Sequence, residues 1–150
     1  MEVRINKVSL NDLNKIVRLE KKIFKENAFP KNLFKRLINE NILFLKMELL
    51  EKKPKFIGLI IIIRDMLDRV NIVNFFIHPK HRNKGYGSYL FKFALNQIRK
   101  IKEIRKMILN VEVGNQAAIR IYRKFGFKIV DTIEKYYKNG NDAYLMELDL

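Results

Sequence analysis

Two spaced glycines opening a helix, with basic residues just ahead of them, are the part of this chain most able to do chemistry through its backbone. The stretch runs Asn74-Phe75-Phe76-Ile77-His78-Pro79-Lys80-His81-Arg82-Asn83-Lys84-Gly85-Tyr86-Gly87-Ser88. Gly85 and Gly87 allow positive φ and a close approach of ligand to backbone. The first N–H groups of a helix have no carbonyl partner, and the helix dipole favours an anion there. Arg82 and Lys84 add side-chain charge. Such an arrangement holds a pyrophosphate. A dinucleotide fingerprint would need glycine at Leu90, and a P-loop would place its lysine after the glycines rather than at Lys84. The plain alternative is a tight strand-to-helix turn with incidental basic residues.

A second stretch, Leu109 to Phe127, offers proton-transfer groups. Asn110 and Glu112 are two apart on a strand, so they share a face about 7 Å from each other. A carboxylate takes a proton and an amide does not, although an amide holds a water. Asn115, just ahead of Gln116-Ala117, suits a helix N-cap. By its spacing alone, Tyr122 is an aromatic on the buried face of its helix. Two further pairs, Phe29-Pro30 and Tyr136-Tyr137, stand where the chain turns. His78 and His81 lack metal-ligand partners and read as surface residues, so no metal is implied.

The elements that position these residues follow from periodicity. Val3 to Val8 alternates as a strand, and Ser9-Leu10-Asn11-Asp12 reads as a capping box opening a helix. Leu13, Ile16, Val17, Ile23 and Phe24 keep helical spacing until Asn27-Ala28-Phe29-Pro30 breaks it. A second helix covers Leu33 to Ile38. Strands over Ile42–Leu49, Phe56–Ile63 and Val70–Ile77 form an antiparallel meander with a polar turn at Asp65–Arg69. A helix runs from Tyr86 to Ile101. A strand over Met107–Val113, a helix over Ala117–Phe125 capped by Gly126, and strands over Lys128–Ile133 and Ala143–Leu150 complete the chain. The expected class is α/β (α+β): one domain over residues 1–150, a mixed and mostly antiparallel sheet with helices on both faces, in the order βααβββαβαββ.

Composition narrows the function. The 150 residues suffice for one core, and 48% apolar with 31% charged residues is a globular balance. With no cysteine, disulfides, thiolate metal sites and a cysteine nucleophile are excluded, and a reducing compartment fits. The opening MEVRINKVSL lacks the apolar core of a signal peptide, and the apolar run Phe56–Ile63 is far short of the roughly 20 residues of a membrane span. A cytoplasmic protein without membrane attachment is expected. The net charge of +15 reads as a lysine-rich solvated surface, or as attraction to polyanions such as a phosphate-rich cofactor or a ribosome near a nascent chain. The aromatics lie in periodic apolar patterns and do not interleave with the charges, as an RNA-stacking platform would require.

Arg82-x-x-Gly85-x-Gly87 after an apolar strand resembles the acetyl-CoA pyrophosphate loop of the GNAT acetyltransferases. The stretch Asn115-x-Ala117 through Tyr122 to Gly126-Phe127 resembles the family's following helix. The likeness covers the whole chain. It implies a direct transfer of acetyl from acetyl-CoA to an amine. It assigns the cofactor to Arg82, Asn83, Lys84, Gly85, Tyr86, Gly87 and Ser88, to the backbone of Phe75, Phe76 and Ile77, and to Asn115 and Tyr122. An N–H of that strand would polarise the thioester carbonyl. Tyr122 would protonate the departing thiol; with tyrosine near 10 and a thiol near 8.5, full transfer is uphill by roughly 2 kcal/mol, so a strong hydrogen bond is most of its role. Relatives commonly carry glutamate or histidine where this chain has Asn110, which leaves Glu112 either acting as the base through water or merely decorating the sheet.

The ending Tyr136-Tyr137-Lys138-Asn139-Gly140-Asn141-Asp142-Ala143-Tyr144-Leu145-Met146 is similar to that of protein N-terminal acetyltransferases, including the ribosomal-protein alanine type. Phe29-Pro30 resembles their peptide-side loop. This implies an acceptor site of Phe29, Pro30, Lys31, Leu33, Tyr136 and Tyr137, with Lys31 setting specificity against a basic first residue. An α-amine with a pKa near 7.7–8.0 is partly neutral at pH 7, whereas a lysine near 10.4 needs about 4.6 kcal/mol of help. A site with a weak base therefore favours the α-amine, with a rate that rises from pH 7 towards 8.5. The competing classes are a GNAT enzyme acting on a small amine or lysine, a non-catalytic acetyl-CoA-binding module, and a basic RNA-binding protein.

Overall fold

The computed structural model describes residues 2–150. The elements are β1 (Val3–Lys7), α1 (Leu13–Phe24), α2 (Lys31–Asn39), β2 (Leu43–Leu49), β3 (Lys55–Met66), β4 (Arg69–Ile77), α3 (Tyr86–Arg99), β5 (Lys106–Glu112), α4 (Gln116–Lys124), β6 (Lys128–Ile133) and β7 (Ala143–Asp149). Short 3-10 turns cover Leu10–Asp12, Lys25–Asn27 and Pro79–His81. The order is the expected βααβββαβαββ. The strands form one sheet, β1-β2-β3-β4-β5-β7-β6, in which β4 and β5 are the parallel pair and the other neighbours run antiparallel.

The sheet is covered on both faces, which is why β3 reads as a continuous apolar run rather than an alternation. Leu59 and Ile61 pack with Leu13 and Ile16 of α1 and Phe34 and Leu37 of α2. Ile60 and Ile62 turn to the other face, with Leu90, Phe91 and Leu95 of α3 and Ile119 of α4. Among the described residues no helix is long and apolar enough to cross a membrane.

The capping box expected at Ser9 is present, with the Ser9 N–H donating to Asp12 Oδ2 at 2.9 Å, but it opens a 3-10 turn that runs into α1. The expected polar turn at Asp65–Arg69 is tighter. β3 continues to Met66, which pairs with Arg69 at the start of β4, and Arg69 Nε reaches Asp65 Oδ1 at 3.0 Å across the hairpin end. The second helix starts earlier than its apolar residues suggest, at Lys31, since Pro30 stands extended as its cap with φ −72° and ψ 158°. Gly126 ends α4 at φ 98°, as a C-capping glycine should.

Candidate active site

β4 and β5 pair only as far as Ile72↔Leu109 and then diverge. Beyond that point β3 holds β4, through Ile61↔Asn74 to Gly58↔Ile77, and β7 holds β5, through Asn110↔Leu145 to Glu112↔Ala143. The cause lies in the register. Ile61 pairs with Asn74 but Ile62 with Ile72, so Val73 is an extra residue on β4. A bulge bends its strand, and this one bends β4 where it leaves β5.

The open edge of β4 exposes backbone on alternate residues. The Phe76 carbonyl faces β3, lying 2.7 Å from where a side chain on Gly58 would start, and the His78 N–H donates to Ile57 O at 2.6 Å. Alternation then turns the backbone groups of Phe75 and Ile77 towards the opening. Of the three residues expected to present backbone there, Phe76 is thus directed away. The Ile77 carbonyl already accepts from Arg82 Nε at 2.9 Å, so Arg82 fastens the strand end to the loop as well as charging it.

The loop reaches α3 through two positive φ values, 61° at Asn83 and 85° at Gly85. The Tyr89 N–H makes the first helical bond, to Gly85 O at 3.1 Å, which leaves the N–H groups of Tyr86, Gly87 and Ser88 without a helical carbonyl. The two glycines serve different ends. Gly85 supplies the left-handed cap. Gly87 is helical, and a Cβ on it would meet Ile121 Cδ1 at 3.1 Å, with Ile77 and Phe75 side chains at 3.5 and 3.6 Å. The expectation of positive φ at both glycines is corrected at Gly87, which is small so that α3 can close on β4 and α4.

Two cavities meet at the divergence. The larger, about 450 Å³, lies between the open edge of β4 and the starts of α3 and α4. Phe75, Phe76, Ile77, Arg82, Asn83, Gly85, Gly87, Ser88 and Asn115 line it, as does Arg120, a cation that the motif did not single out. Lys84 is exposed and Tyr86 packs on the core, so neither lines it. The smaller cavity, about 100 Å³, is walled by Glu20, Asn27, Phe29, Asn74, Asn110, Glu112, Tyr122 and Tyr137, among others. Phe24, Phe75 and Asn115 line both. Asn115 also caps α4, its Oδ1 accepting from the Ala118 N–H at 3.3 Å.

Tyr122 is 5% exposed and packs beside Phe75, Phe91 and Phe127. Burial, with a smaller contribution from Tyr137, raises its pKa well above the ordinary tyrosine value, so it stays protonated. Burial does the same to Tyr137, aided by Tyr136 and Glu112.

The smaller cavity is roofed by the β6–β7 connection. Glu112 Oε1 accepts from Asn141 Nδ2 at 2.6 Å, Asn110 Nδ2 donates to the Tyr136 hydroxyl at 3.1 Å, and the Asn139 N–H donates to Asn27 Oδ1 at 3.3 Å. The last bond joins the two loops expected to face an acceptor. Asn110 Oδ1 is buried without a partner among the described residues. Of the expected acceptor residues, Phe29 and Tyr137 wall the cavity. Pro30 caps α2, Leu33 packs in the α1–α2 core, and Lys31 is exposed at the first turn of α2.

Glu20 lies outside every motif of the sequence. It is 1% exposed, Oε2 accepting from the Phe29 N–H at 2.8 Å and Oε1 from Asn74 Nδ2 at 2.9 Å. Burial raises its pKa above the ordinary value, and the two hydrogen bonds offset part of that rise. The available signal was an acid on the apolar stripe of α1, four residues after Ile16. His78 and His81 pack 5.7 Å apart, and burial with nearby lysines lowers both pKa values. Among the described residues no group of three acids or histidines is placed to hold a metal.

A family model described as the acetyltransferase (GNAT) family matches residues 11–127. An N-alpha-acetyltransferase of Sulfurisphaera tokodaii is 31% identical over 85 residues, 57% of this chain and 51% of that protein. The chain spans about half the length, or less, of the curated relatives it matches. Two solved structures share the fold. The ribosomal-protein-S18-alanine N-acetyltransferase from Escherichia coli has a TM-score of 0.84 and 22% identity, covering 99% of this chain and 94% of that one. Arabidopsis thaliana Naa50 in complex with the bisubstrate analogue CoA-Ac-MVNAL has a TM-score of 0.85 and 23% identity, with both chains fully covered at 100%.

Proposed function

Because the chain belongs to the GNAT acetyltransferase family, we propose that it transfers the acetyl group of acetyl-CoA to a primary amine, namely the α-amino group of a protein N-terminus. The observation that carries this is the pair of cavities meeting at Phe24, Phe75 and Asn115 where β4 leaves β5. One is sized and charged for a phosphate-bearing arm, and the other is narrow and walled by polar groups. The analogue bound to the Arabidopsis protein joins ligands of these two kinds.

The residues of the larger cavity fit coenzyme A. The free N–H groups of Tyr86, Gly87 and Ser88 would hold its pyrophosphate at the positive end of α3, with Arg82 and Arg120 adding charge. Phe75 and Ile77 would pair with the arm along the open edge of β4, and Asn115 would bond it from α4. Acetyl-CoA supplies an acetyl group already activated as a thioester. The Phe75 N–H is a donor for the carbonyl that gains charge. Tyr122, kept protonated by its burial, donates a hydrogen bond to the departing sulfur.

On the acceptor side, Asn110 Oδ1 accepts an N–H from the amine but not its proton. Glu112 braces the roofing loop through Asn141. Phe29 and Tyr137 flank the entering residue. The bond between Asn139 and Asn27 narrows the way in, which favours an extended chain end over a lysine on a folded surface. The charge of +15 supports approach to a ribosome and its nascent chain. The test is a panel of peptides varied at the first two residues, incubated with acetyl-CoA and read by mass. Acetylation of free-amine peptides with preference among first residues is expected, and turnover of none of them would refute the proposal.

A further inference from the structure

Asn110 on β5 cannot take a proton, and the structure brings a carboxylate to the same cavity from another element. Glu20 projects from α1 into the smaller cavity. Each of its oxygens receives one neutral donor, Phe29 N–H or Asn74 Nδ2. A carboxylate has roughly four acceptor positions, so each oxygen keeps room for another hydrogen bond. No cation pairs with it among the described residues. A buried carboxylate without a counter-charge is unfavourable, and an ammonium entering the cavity would provide that charge. Asn74, which orients it, immediately precedes Phe75 on the open stretch of β4.

We propose that Glu20 binds the incoming ammonium and takes its proton before attack, doing from α1 what Asn110 cannot do from β5. This rests on the acetyltransferase reading. The ammonium carries three protons. One passes to Glu20, leaving a neutral amine whose lone pair forms the C–N bond as the C–S bond breaks. A second leaves the nitrogen as the amide forms and ends on the departing thiolate, which the Tyr122 hydroxyl steadies by its hydrogen bond, and the third remains on the amide nitrogen. Glu20 then releases its proton to solvent.

The other titratable groups facing the cavity are Glu112 from β5, Tyr122 from α4 and Tyr137 from the β6–β7 loop; Asn74 of β4 and Phe29 ahead of α2 carry no charge. Glu112 is engaged by Asn141, and both tyrosines are held neutral by burial. Glu20 is the carboxyl of this cavity that burial holds above the ordinary carboxylate value, and it faces the amine without a partner of opposite charge among the described residues.

The experiment measures kcat/KM against pH for a free-amine peptide with wild type and Glu20→Gln. Wild type should rise through the Glu20 titration and hold level up to the amine pKa, in place of the rise from pH 7 towards 8.5 expected of a site with a weak base. Glu20→Gln should be about 100-fold slower at pH 7 and should climb tenfold per pH unit towards the amine pKa, with calorimetric acetyl-CoA affinity within twofold of wild type. Melting temperature gives a readout without turnover. A raised carboxyl pKa contributes stability below the ordinary value near 4.5 that is lost as pH rises through the folded value, so Glu20→Gln should gain on wild type over that rise. If Glu20→Gln does not fold, Asn74→Ala removes one donor to the carboxylate and should move the acid limb to higher pH. An unchanged profile shape in Glu20→Gln, or an unmoved limb in Asn74→Ala, overturns the proposal. A wild type that acetylates no free-amine peptide would instead refute the acetyltransferase reading.

Discussion

The two cavities on either side of the β4–β5 divergence are built in opposite ways. The larger is made of backbone: unbonded N–H groups at the start of α3, an open strand edge, and one glycine in the left-handed region. The smaller is made of side chains, from Glu20 on α1, Asn74 on β4, Asn110 on β5, Tyr122 on α4 and Tyr137 in the last connection. A backbone site tolerates most changes of side chain and fails when chain geometry fails. A side-chain site is altered one contact at a time. The first suits a ligand whose chemistry is fixed, the second one whose sequence varies.

The sharpest way to break this contrast is Gly87→Val. Its side chain would press on Ile121, Ile77 and Phe75 and push the start of α3 off the open edge. Hydrogen bonds to charged groups contribute about 1.5–3 kcal/mol each, so acetyl-CoA affinity should fall roughly 100-fold or more by calorimetry, with circular dichroism unchanged. Undiminished affinity would remove the cradle from the account.

Tyr122→Phe acts at the junction. It keeps the packing against Phe75, Phe91 and Phe127 and loses only the hydroxyl. Turnover should drop about 30-fold while acetyl-CoA affinity holds within twofold, a pattern that marks an interaction made mainly as bonds break. Wild-type turnover would reduce Tyr122 to a core aromatic.

Asn27→Ala should have the smallest effect. It removes the acceptor of the Asn139 N–H and loosens the roof. The peptide KM should rise about threefold, as expected for one modest hydrogen bond, with acetyl-CoA binding untouched. A change in acetyl-CoA affinity would show that the two sides are not separable.

The same contrast explains what could be read from the sequence. The cradle was legible because glycines, basic residues and the start of a helical period fall within seven residues, Arg82 to Ser88. The sheet was legible because each strand carries its own apolar pattern. The smaller cavity joins residues more than a hundred positions apart, such as Asn27 and Asn139, and no local pattern announces such contacts. Glu20 was hidden because an acid within an apolar helical stripe stands out only once Phe29 and Asn74 are seen to meet it. Lys31 stands exposed at the first position of α2, because the helix starts ahead of its apolar residues, and no periodicity marks that start. The bulge at Val73, which opens the site, follows from how β3 and β4 register and leaves no mark in composition.

The measurement that most directly tests the central claim compares two peptides of one sequence under acetyl-CoA. One has a free N-terminus, and its twin has a blocked N-terminus and a single lysine. The account predicts that the free-amine peptide is acetylated at least about 100-fold faster at pH 7.5, because the α-amine gives up its proton some 2.5 units more readily than lysine and enters as a chain end beneath the loop held by Asn27 and Asn139. Equal rates on the two peptides would contradict it.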